Sequence, residues 1–257
     1  MLRPAANPIA LRGLLRLRPD ELTGLCASHV LAATGGNCAL HPVVNAALAC
    51  MAAAARCAGI ELAAISCFRS FEQQLAIWNG KFLGQRPLLS RSGAVLDALS
   101  LDEPARVQAI LTWSALPGAS RHHWGTDFDV IDRAALPAGE RVQLVPAEYA
   151  PGGWFAALDR WLAAHAADYG FFRPYDIDRG GVLPEPWHLS FAPLAAPALQ
   201  DLSVEVLASC LDGAPLQGRD TIRAQLPELH RRYVARVADP EPAALAAAGL
   251  SDAARPS

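Results

Sequence analysis

The sequence predicts an α+β protein with a buried core, and its charge bears on the kind of partner. Apolar or amphipathic helical segments are interleaved with a few short strands, without the regular strand–helix repeat of a parallel α/β sheet. Hydrophobic residues make up 52% of the 257 residues and charged residues 18%, so the chain can bury a core and is not disordered as a whole. The formal net charge is -3 and no Lys/Arg run occurs, which argues against a nucleic acid or an anionic membrane as partner.

Three segments in the first half of the chain carry clear local signals. A helix is predicted over 42–57, because this Ala-rich stretch begins with proline and is followed by Gly59. Residues 60–65 are predicted to form a short buried strand. Ser70 is predicted to open a second helix, in which aromatic and aliphatic residues recur at helical spacing.

The rest of the chain continues the same alternation. The predicted segments are loops and turns at 83–103, a helix at 104–113, a loop at 114–119, a strand at 126–131, a helix at 153–169, a strand at 187–191, and helices near 195–212 and 219–237. Residues 1–18 are predicted to be an irregular arm, and the Ala/Pro-rich stretch 239–257 a disordered tail.

The cysteines and the N-terminus bear on the compartment. The six cysteines include no C-x-x-C pair, and several lie in apolar stretches, so we expect reduced, structural thiols. Arg12 and Arg16 interrupt the apolar run 8–17, so it is not predicted to be a signal peptide. No stretch reaches the roughly 20 uncharged residues of a membrane span. The expectation is a cytoplasmic protein, with a periplasmic location left open.

Side chains able to do chemistry concentrate in segments 66–70, 120–129 and 185–188. His122 and Asp129 would lie about 23 Å apart on one straight strand, too far to share a metal ion. Gly125 lies between them and marks a bend that could bring both side chains to one point. Histidine and aspartate are both suitable zinc ligands.

The segment 185–188 supplies a third ligand type. Pro186 argues against a helix, so His188 is placed on a strand, on the face opposite Trp187. His122, Asp129 and His188 would then hold zinc with one open coordination position, as in catalytic sites. Glu185 is the candidate general base, and Arg69 would offer fixed positive charge to a carboxylate or an oxyanion.

Other interpretations of these residues stay open. Asp127 is an alternative ligand, or it orients a histidine ligand from outside the metal sphere. His123 is a possible competing ligand, although a supporting or surface role is favoured. Arg69 is alternatively a residue of a structural ion pair.

Three separated motifs follow one another in the chain. Ser120, His122, Gly125 and Asp129 match the pattern S-x-H-x-x-G-x-x-x-D, Glu185, Trp187 and His188 match E-x-W-H, and Arg69, Ser70 and Gln74 match R-S-x-x-x-Q. In this order the motifs resemble those of the VanY-type zinc D-alanyl-D-alanine carboxypeptidases, whose wider superfamily includes lysostaphin-type peptidases and the hedgehog signalling domain.

The resemblance implies roles and a fold. It implies one Zn2+ per chain bound by His122, Asp129 and His188, with Glu185 as the catalytic base and Arg69 at the scissile carbonyl. Substrate contacts are implied for Ser120, Gln74 and Trp187. It also implies a small central antiparallel sheet that carries the zinc site and is flanked by helices. The expected organisation is an arm and helical lead-in at 1–39, the peptidase domain at 40–195, a helical extension packed on it at 196–238, and the tail at 239–257.

The function implied is hydrolysis of peptidoglycan-derived peptides by Glu-assisted attack of zinc-bound water, with D-alanyl-D-alanine carboxypeptidase activity foremost. An L,D-carboxypeptidase and an L-Ala-D-Glu endopeptidase are alternatives within the same chemistry. A zinc-stabilised peptide-binding module is the non-enzymatic alternative, and Glu185 distinguishes it, because a module has no need of a base. The oligomeric state is not predicted.

Overall fold

The computed structural model describes residues 16–32 and 38–247. In these ranges the helices are α1 (Pro19–Leu22), α2 (Pro42–Cys57), α3 (Phe71–Phe82), α4 (Glu103–Leu111), α5 (Pro146–Tyr149), α6 (Ala156–His165), α7 (Ala192–Asp201), α8 (Val204–Leu211), α9 (Arg219–Leu229) and α10 (Pro242–Ala246). The strands are β1 (Leu31–Ala32), β2 (Ala39–Leu40), β3 (Leu62–Ile65), β4 (Leu88–Leu89), β5 (Val95–Leu96), β6 (Asp127–Asp132), β7 (Phe171–Phe172) and β8 (His188–Phe191).

A four-stranded antiparallel sheet lies at the centre, in the order β3-β6-β8-β7, and confirms the predicted α+β class. Strand β6 is an inner strand and is buried along its whole length. Its register pairs Asp129 with Ile65 of β3 on one side and with His188 of β8 on the other. Cross-strand pairing therefore brings an aspartate and a histidine together that are far apart in sequence.

The buried hydrophobic side chains form two clusters. The helical core packs α3 and α4 against α7, α8 and α9 through side chains such as Trp78, Ile110 and Leu207. The sheet core packs the central sheet against α2 and α6, with Phe128 and Leu189 fully buried. Because β8 is buried on both faces, His188 and Ser190 lie among protein atoms rather than in open solvent.

Local signals placed several helices correctly. Helix α2 has the predicted bounds, with His41 as its N-cap and proline as its first residue. The Ser70 side chain accepts a hydrogen bond from the Gln73 backbone and so caps α3, as expected. The predicted helix at 153–169 is shorter, because α6 ends at His165 and a 3-10 turn continues to Tyr169.

The C-terminal region differs from the prediction at two points. The helix predicted near 195–212 is two helices, α7 and α8, separated at Leu202 and Ser203, where the Ser203 side chain caps α8. The predicted disordered tail contains α10, in which Ala244 is buried. Residues 1–15 of the predicted arm and 248–257 of the tail lie outside the described residues.

One hydrophobicity test concerns helices α7 and α8. Among the described residues no single helix is long and apolar enough to cross a membrane, and these two reach the criterion only together, across a bend of 76°.

The expectation that all cysteines are reduced is wrong for two of them. Cys38 and Cys67 form a disulfide with their Cα atoms 5.2 Å apart. The two residues come together because the Phe68 backbone N–H donates to the Ala39 carbonyl, 2.9 Å away, which fixes the loop after β3 beside β2. The remaining four cysteines, at 26, 50, 57 and 210, are free.

Candidate metal centre and active-site cleft

His122 reaches the sheet through the bend that the sequence predicts. It lies on a 3-10 turn, Arg121–Trp124, which ends at Gly125 with φ of +65°. A side chain at this position would collide with Val30, besides being strained in the left-handed region. Glycine here therefore lets the chain reverse tightly, and β6 begins two residues later.

The predicted ligands His122, Asp129 and His188 converge on one point. His122 Nε2 lies 4.0 Å from Asp129 Oδ1, and His188 Nδ1 lies 3.4 Å from the same oxygen. One ligand atom from each residue can be chosen so that all lie within 4.8 Å of one another, and all three residues are buried. The distances of 3.4 and 4.0 Å to Asp129 are compatible with a common ion at about 2.0–2.2 Å from each atom.

The outer nitrogen of each histidine is engaged by the protein. His122 Nδ1 lies 3.0 Å from the Cys67 carbonyl oxygen, which can only accept, so this nitrogen carries the proton and Nε2 keeps its lone pair. His188 Nε2 lies 3.0 Å from Asp127 Oδ1. Both rings are thus oriented with their other nitrogens facing Asp129.

Asp127 is itself held by a buried polar network. Arg121 Nε donates to Asp127 Oδ1 at 2.7 Å, and the Thr126 and Ser190 hydroxyls donate to Oδ2. Burial alone would raise the pKa of Asp127, but Arg121 and His188 hold it below its usual value. Asp127 is therefore a charged partner of His188, which is the orienting role considered from the sequence rather than the ligand role.

The donor set fits a divalent cation. Asp129 Oδ1 is buried and accepts no hydrogen bond of normal geometry from a described residue. Burial would raise the pKa of Asp129, yet the two neighbouring histidines hold it below its usual value. Burial lowers the pKa of His122 to about 3, so this ring is a neutral ligand. An ionised carboxylate and a neutral imidazole, both buried, suit zinc.

Glu185 lies beside these ligands without joining them. Its Oε2 is 3.3 Å from His188 Nδ1, and its side chain is 13% exposed. Its backbone N–H donates to the Tyr175 carbonyl at 2.9 Å, which fixes the corner formed with Pro186. Burial raises the pKa of Glu185, as suits a carboxylate that accepts and returns a proton.

Arg69 enters the same cleft and is held by neutral groups. Its Nη1 donates to Gln74 Oε1 at 2.8 Å, and its Nη2 donates to Ser66 Oγ at 3.1 Å. Among residues 16–32 and 38–247 no carboxylate lies within ion-pair distance of it, which argues against the structural salt bridge. Ser66 has φ of +50°, so the chain turns sharply between β3 and Arg69.

Gln74 has a different role from the one predicted. It is fully buried, and its Nε2 donates to the Ala115 carbonyl at 2.7 Å while its Oε1 accepts from Arg69. Both ends of the amide are therefore occupied, and Gln74 lies behind Arg69 instead of facing a substrate. It positions the guanidinium.

His123 is not a competing ligand in this structure. Its Nδ1 donates to the Arg69 carbonyl at 2.6 Å, and its Nε2 accepts from the Gly118 backbone at 3.2 Å. Burial lowers its pKa to about 4, so the ring is neutral. His123 thus joins the loop that carries Arg69 to the loop that carries His122.

The site lies in a cleft of about 660 Å³. Ser120 and Trp187, predicted to contact substrate, line it together with Arg69, Glu185 and the three ligand residues. Its outer walls are formed by the β4–β5 hairpin and by residues 143–147. Tyr175 and Lys81 also line the cleft and were missed from the sequence. Only Lys81 left a signal, since it shares a face of α3 with Gln74.

The family follows from a match over most of the chain. The family model of VanY, described as D-alanyl-D-alanine carboxypeptidase, matches residues 37–194. The chain belongs to the VanY family. The matched segment contains every residue of the cleft described above.

Relatives and solved structures resemble the chain as well. An uncharacterized protein of Haemophilus influenzae is 37% identical over 125 residues, which is 48% of this chain and 95% of that protein. The structure of VanYB in complex with D-Alanine-D-Alanine is 20% identical, covering 78% of this chain and 91% of that one, with a TM-score of 0.46. The LdcB LD-carboxypeptidase structure is 26% identical, covering 66% and 69%, with a TM-score of 0.43.

Membership of the VanY family makes the chain a peptidase of the class that acts on peptidoglycan.

Proposed function

We propose that this protein is a zinc-dependent carboxypeptidase that removes a terminal D-alanine from peptidoglycan-type peptides. The observation that carries the proposal is the convergence of His122, Asp129 and His188 on one point with Glu185 beside them. Membership of the VanY family supports the substrate class.

Zinc would be held by His122 Nε2, a carboxylate oxygen of Asp129 and His188 Nδ1. When bound, the ion supplies Lewis-acid polarisation and lowers the pKa of a water to about 7. Asp127 keeps His188 in the orientation that points Nδ1 at this position, and the Cys67 carbonyl does the same for His122 Nε2.

The remaining steps use Glu185 and Arg69. Glu185 accepts the proton of the attacking water as the C–O bond forms, then delivers it to the leaving amine as the C–N bond breaks. Arg69 donates to the scissile carbonyl oxygen, on which negative charge develops, or to a substrate carboxylate. Because Gln74 and Ser66, which accept hydrogen bonds from Arg69, are neutral, the charge of Arg69 is available to the substrate.

The test replaces Glu185 by glutamine, which keeps the size of the side chain. We expect Glu185→Gln to retain one zinc per chain by metal analysis and to lose about 10²–10⁴-fold in kcat on a defined pentapeptide. Glu228→Gln, at an exposed glutamate paired with Arg231, is the matched control. Unchanged hydrolysis in Glu185→Gln would remove Glu185 from the mechanism.

Product analysis by mass spectrometry decides the bond. Release of D-alanine from the pentapeptide supports the proposal, whereas release only from the tetrapeptide indicates an L,D-carboxypeptidase. Cleavage after L-alanine indicates an endopeptidase. If the zinc-loaded protein binds these peptides and cleaves none, it is a binding module and the proposal is wrong.

We further propose that the protein works in an oxidising compartment. The Cys38–Cys67 disulfide supports this over the cytoplasmic expectation, because such bonds are rare where thiols are kept reduced. Alkylating the free thiols under denaturing conditions at lysis and counting the alkylated cysteines by mass spectrometry should give four. Six would place the native protein in a reducing compartment.

A further inference from the structure

A second basic side chain, Lys81, faces the cleft and has no part in the proposed chemistry. It lies on the face of α3 that also carries Gln74 and Ile77, beyond Arg69 along the helix. Its Nζ donates to Ser114 Oγ at 2.7 Å. An ammonium has three donor hydrogens, and this bond uses one of them.

The cations that line the cleft differ in how they are balanced. Arg121 is paired with Asp127, and Arg91 is paired with Asp178 at 2.6 Å. Lys81 has a hydroxyl as its partner, and among the described residues no carboxylate lies within 4.0 Å of it. Its positive charge is therefore directed into the cleft without a local counter-charge.

The acids of the cleft do not supply that counter-charge. Asp129 is committed to the metal position and Glu185 to proton transfer. Glu185 acts on Lys81 electrostatically, but from beyond ion-pair distance, and the positive Arg69 opposes it. With a divalent ion balancing the two carboxylates, Arg69 and Lys81 leave the cleft positively charged.

The position of Lys81 in the cleft costs its ammonium group part of its hydration. Lys81 is half-buried, and burial lowers its pKa, which shows that its charged form loses hydration in the fold. A partly dehydrated ammonium with free donors is a ready partner for an incoming anion, because less water has to be displaced from it. Ser114 Oγ accepts from Lys81 and keeps its own hydrogen for the same ligand.

We propose that Lys81, with Ser114 beside it, binds a carboxylate group of the peptide substrate and so determines which peptides the enzyme accepts. The proposal rests on the function proposed above and deepens it. Peptidoglycan-type peptides offer three such groups: the terminal carboxylate, the free carboxylate of a γ-linked D-glutamate, and that of a diaminopimelate at the third position. The chemistry at Lys81 is the same for each.

The test measures binding separately from hydrolysis. Zinc-loaded Glu185→Gln protein, with and without Lys81→Met, is titrated calorimetrically with the pentapeptide L-Ala-γ-D-Glu-diaminopimelate-D-Ala-D-Ala. Three more peptides each lack one carboxylate: a C-terminal amide, an isoglutamine peptide, and a peptide with lysine at the third position. Lys81→Arg keeps the charge, and Arg56→Met, at an exposed cation outside the cleft lining, controls for net charge.

We expect Lys81→Met to weaken binding of the parent peptide by about 10–100-fold, as for loss of a charge-assisted hydrogen bond. Lys81→Arg should restore most of it, and Arg56→Met should change it by less than about twofold. For one of the three modified peptides the Lys81→Met effect should disappear, which identifies the carboxylate.

Two results would overturn the proposal: parent binding unchanged in Lys81→Met, or all four peptides weakened equally. Hydrolysis by the otherwise unaltered enzyme is measured in parallel. If that enzyme cleaves no peptide while the Lys81 effect is present, the proposed reaction fails and the subsite stands. If it cleaves and the Lys81 effect is absent, the subsite fails alone.

Discussion

The charged side chains behind the metal position are paired with one another, whereas those in front of it have neutral partners. Behind it, Arg121 and Asp127 form a buried ion pair, and Ser190 bridges them through its hydroxyl. In front, the partners of Arg69 and Lys81 within the described part of the chain are neutral oxygens. We call the first group the rear network and the second the cleft cations.

This difference indicates that the rear network stabilises the fold and that the cleft cations serve substrate binding and catalysis. A buried charge without a partner is costly, so the rear network satisfies its charges within the protein and fixes His188. The cleft cations leave charge unbalanced at a surface that a substrate can reach. We therefore expect substitutions in the rear network to reduce stability, and substitutions of the cleft cations to reduce binding or turnover.

The largest effect on stability is expected at Arg121. Arg121→Met leaves the fully buried Asp127 without its counter-charge and should lower the free energy of unfolding by about 3–5 kcal/mol. Arg91→Met is the matched control, because its pair with Asp178 is exposed at 44% and 49% and should contribute no more than about 1 kcal/mol. Equal losses in urea denaturation would contradict the distinction between the two pairs.

The Cys38–Cys67 disulfide also fixes a predicted zinc ligand, because the Cys67 carbonyl accepts a hydrogen bond from His122. Cys38→Ser opens a bridge between residues 29 apart in sequence and should cost about 3–4 kcal/mol of stability. It should also weaken zinc binding, because the loop that orients His122 is released. Cys57→Ser, at an exposed free thiol, is the control. Zinc affinity unaffected by loss of the bridge would separate the disulfide from the metal site.

Acid should expose the contribution of Asp127. Its pKa is lower in the folded protein than the usual 3.9 or so of the unfolded chain, so its stabilisation is complete above that value and is lost as the pH falls through the folded pKa. The unfolding free energy should therefore fall below about pH 4, and less steeply in Asp127→Asn. Parallel curves for the two proteins would show that Asp127 is not the group that titrates.

The smallest effect on stability is expected for Arg69, one of the cleft cations. Arg69→Met removes a dehydrated charge that has no acidic partner among the described residues, so the free energy of unfolding should change by less than about 1 kcal/mol or increase. Hydrolysis should nevertheless fall by at least about 10²-fold. A stability loss comparable to that of Arg121→Met would place Arg69 among the structural charges.

Local patterns and long-range contacts explain what the sequence could predict. The helix 42–57, the Ser70 cap and the bend at Gly125 depend on neighbouring residues, and each was predicted. The convergence of His122, Asp129 and His188 was predicted from the motifs, from the bend at Gly125 and from the family that the motifs resemble, without knowledge of the strand register.

What was missed depends on tertiary contacts. The Cys38–Cys67 bridge depends on the loop after β3 lying against β2, and the role of Gln74 depends on the distant Ala115 carbonyl. The break between α7 and α8 at Ser203 was signalled by a capping residue that the hydrophobic pattern concealed. Lys81 was overlooked because a lysine on a helix is usually solvated.

The central claim is that His122, Asp129 and His188 hold one zinc ion while Asp127 stays outside its coordination sphere. A crystal grown with zinc, with anomalous data at the zinc edge, tests it directly. We predict one peak per chain, about 2.0–2.2 Å from His122 Nε2, His188 Nδ1 and an Asp129 oxygen. A peak coordinated by Asp127 or His123 instead, or none in this cleft, would contradict the account.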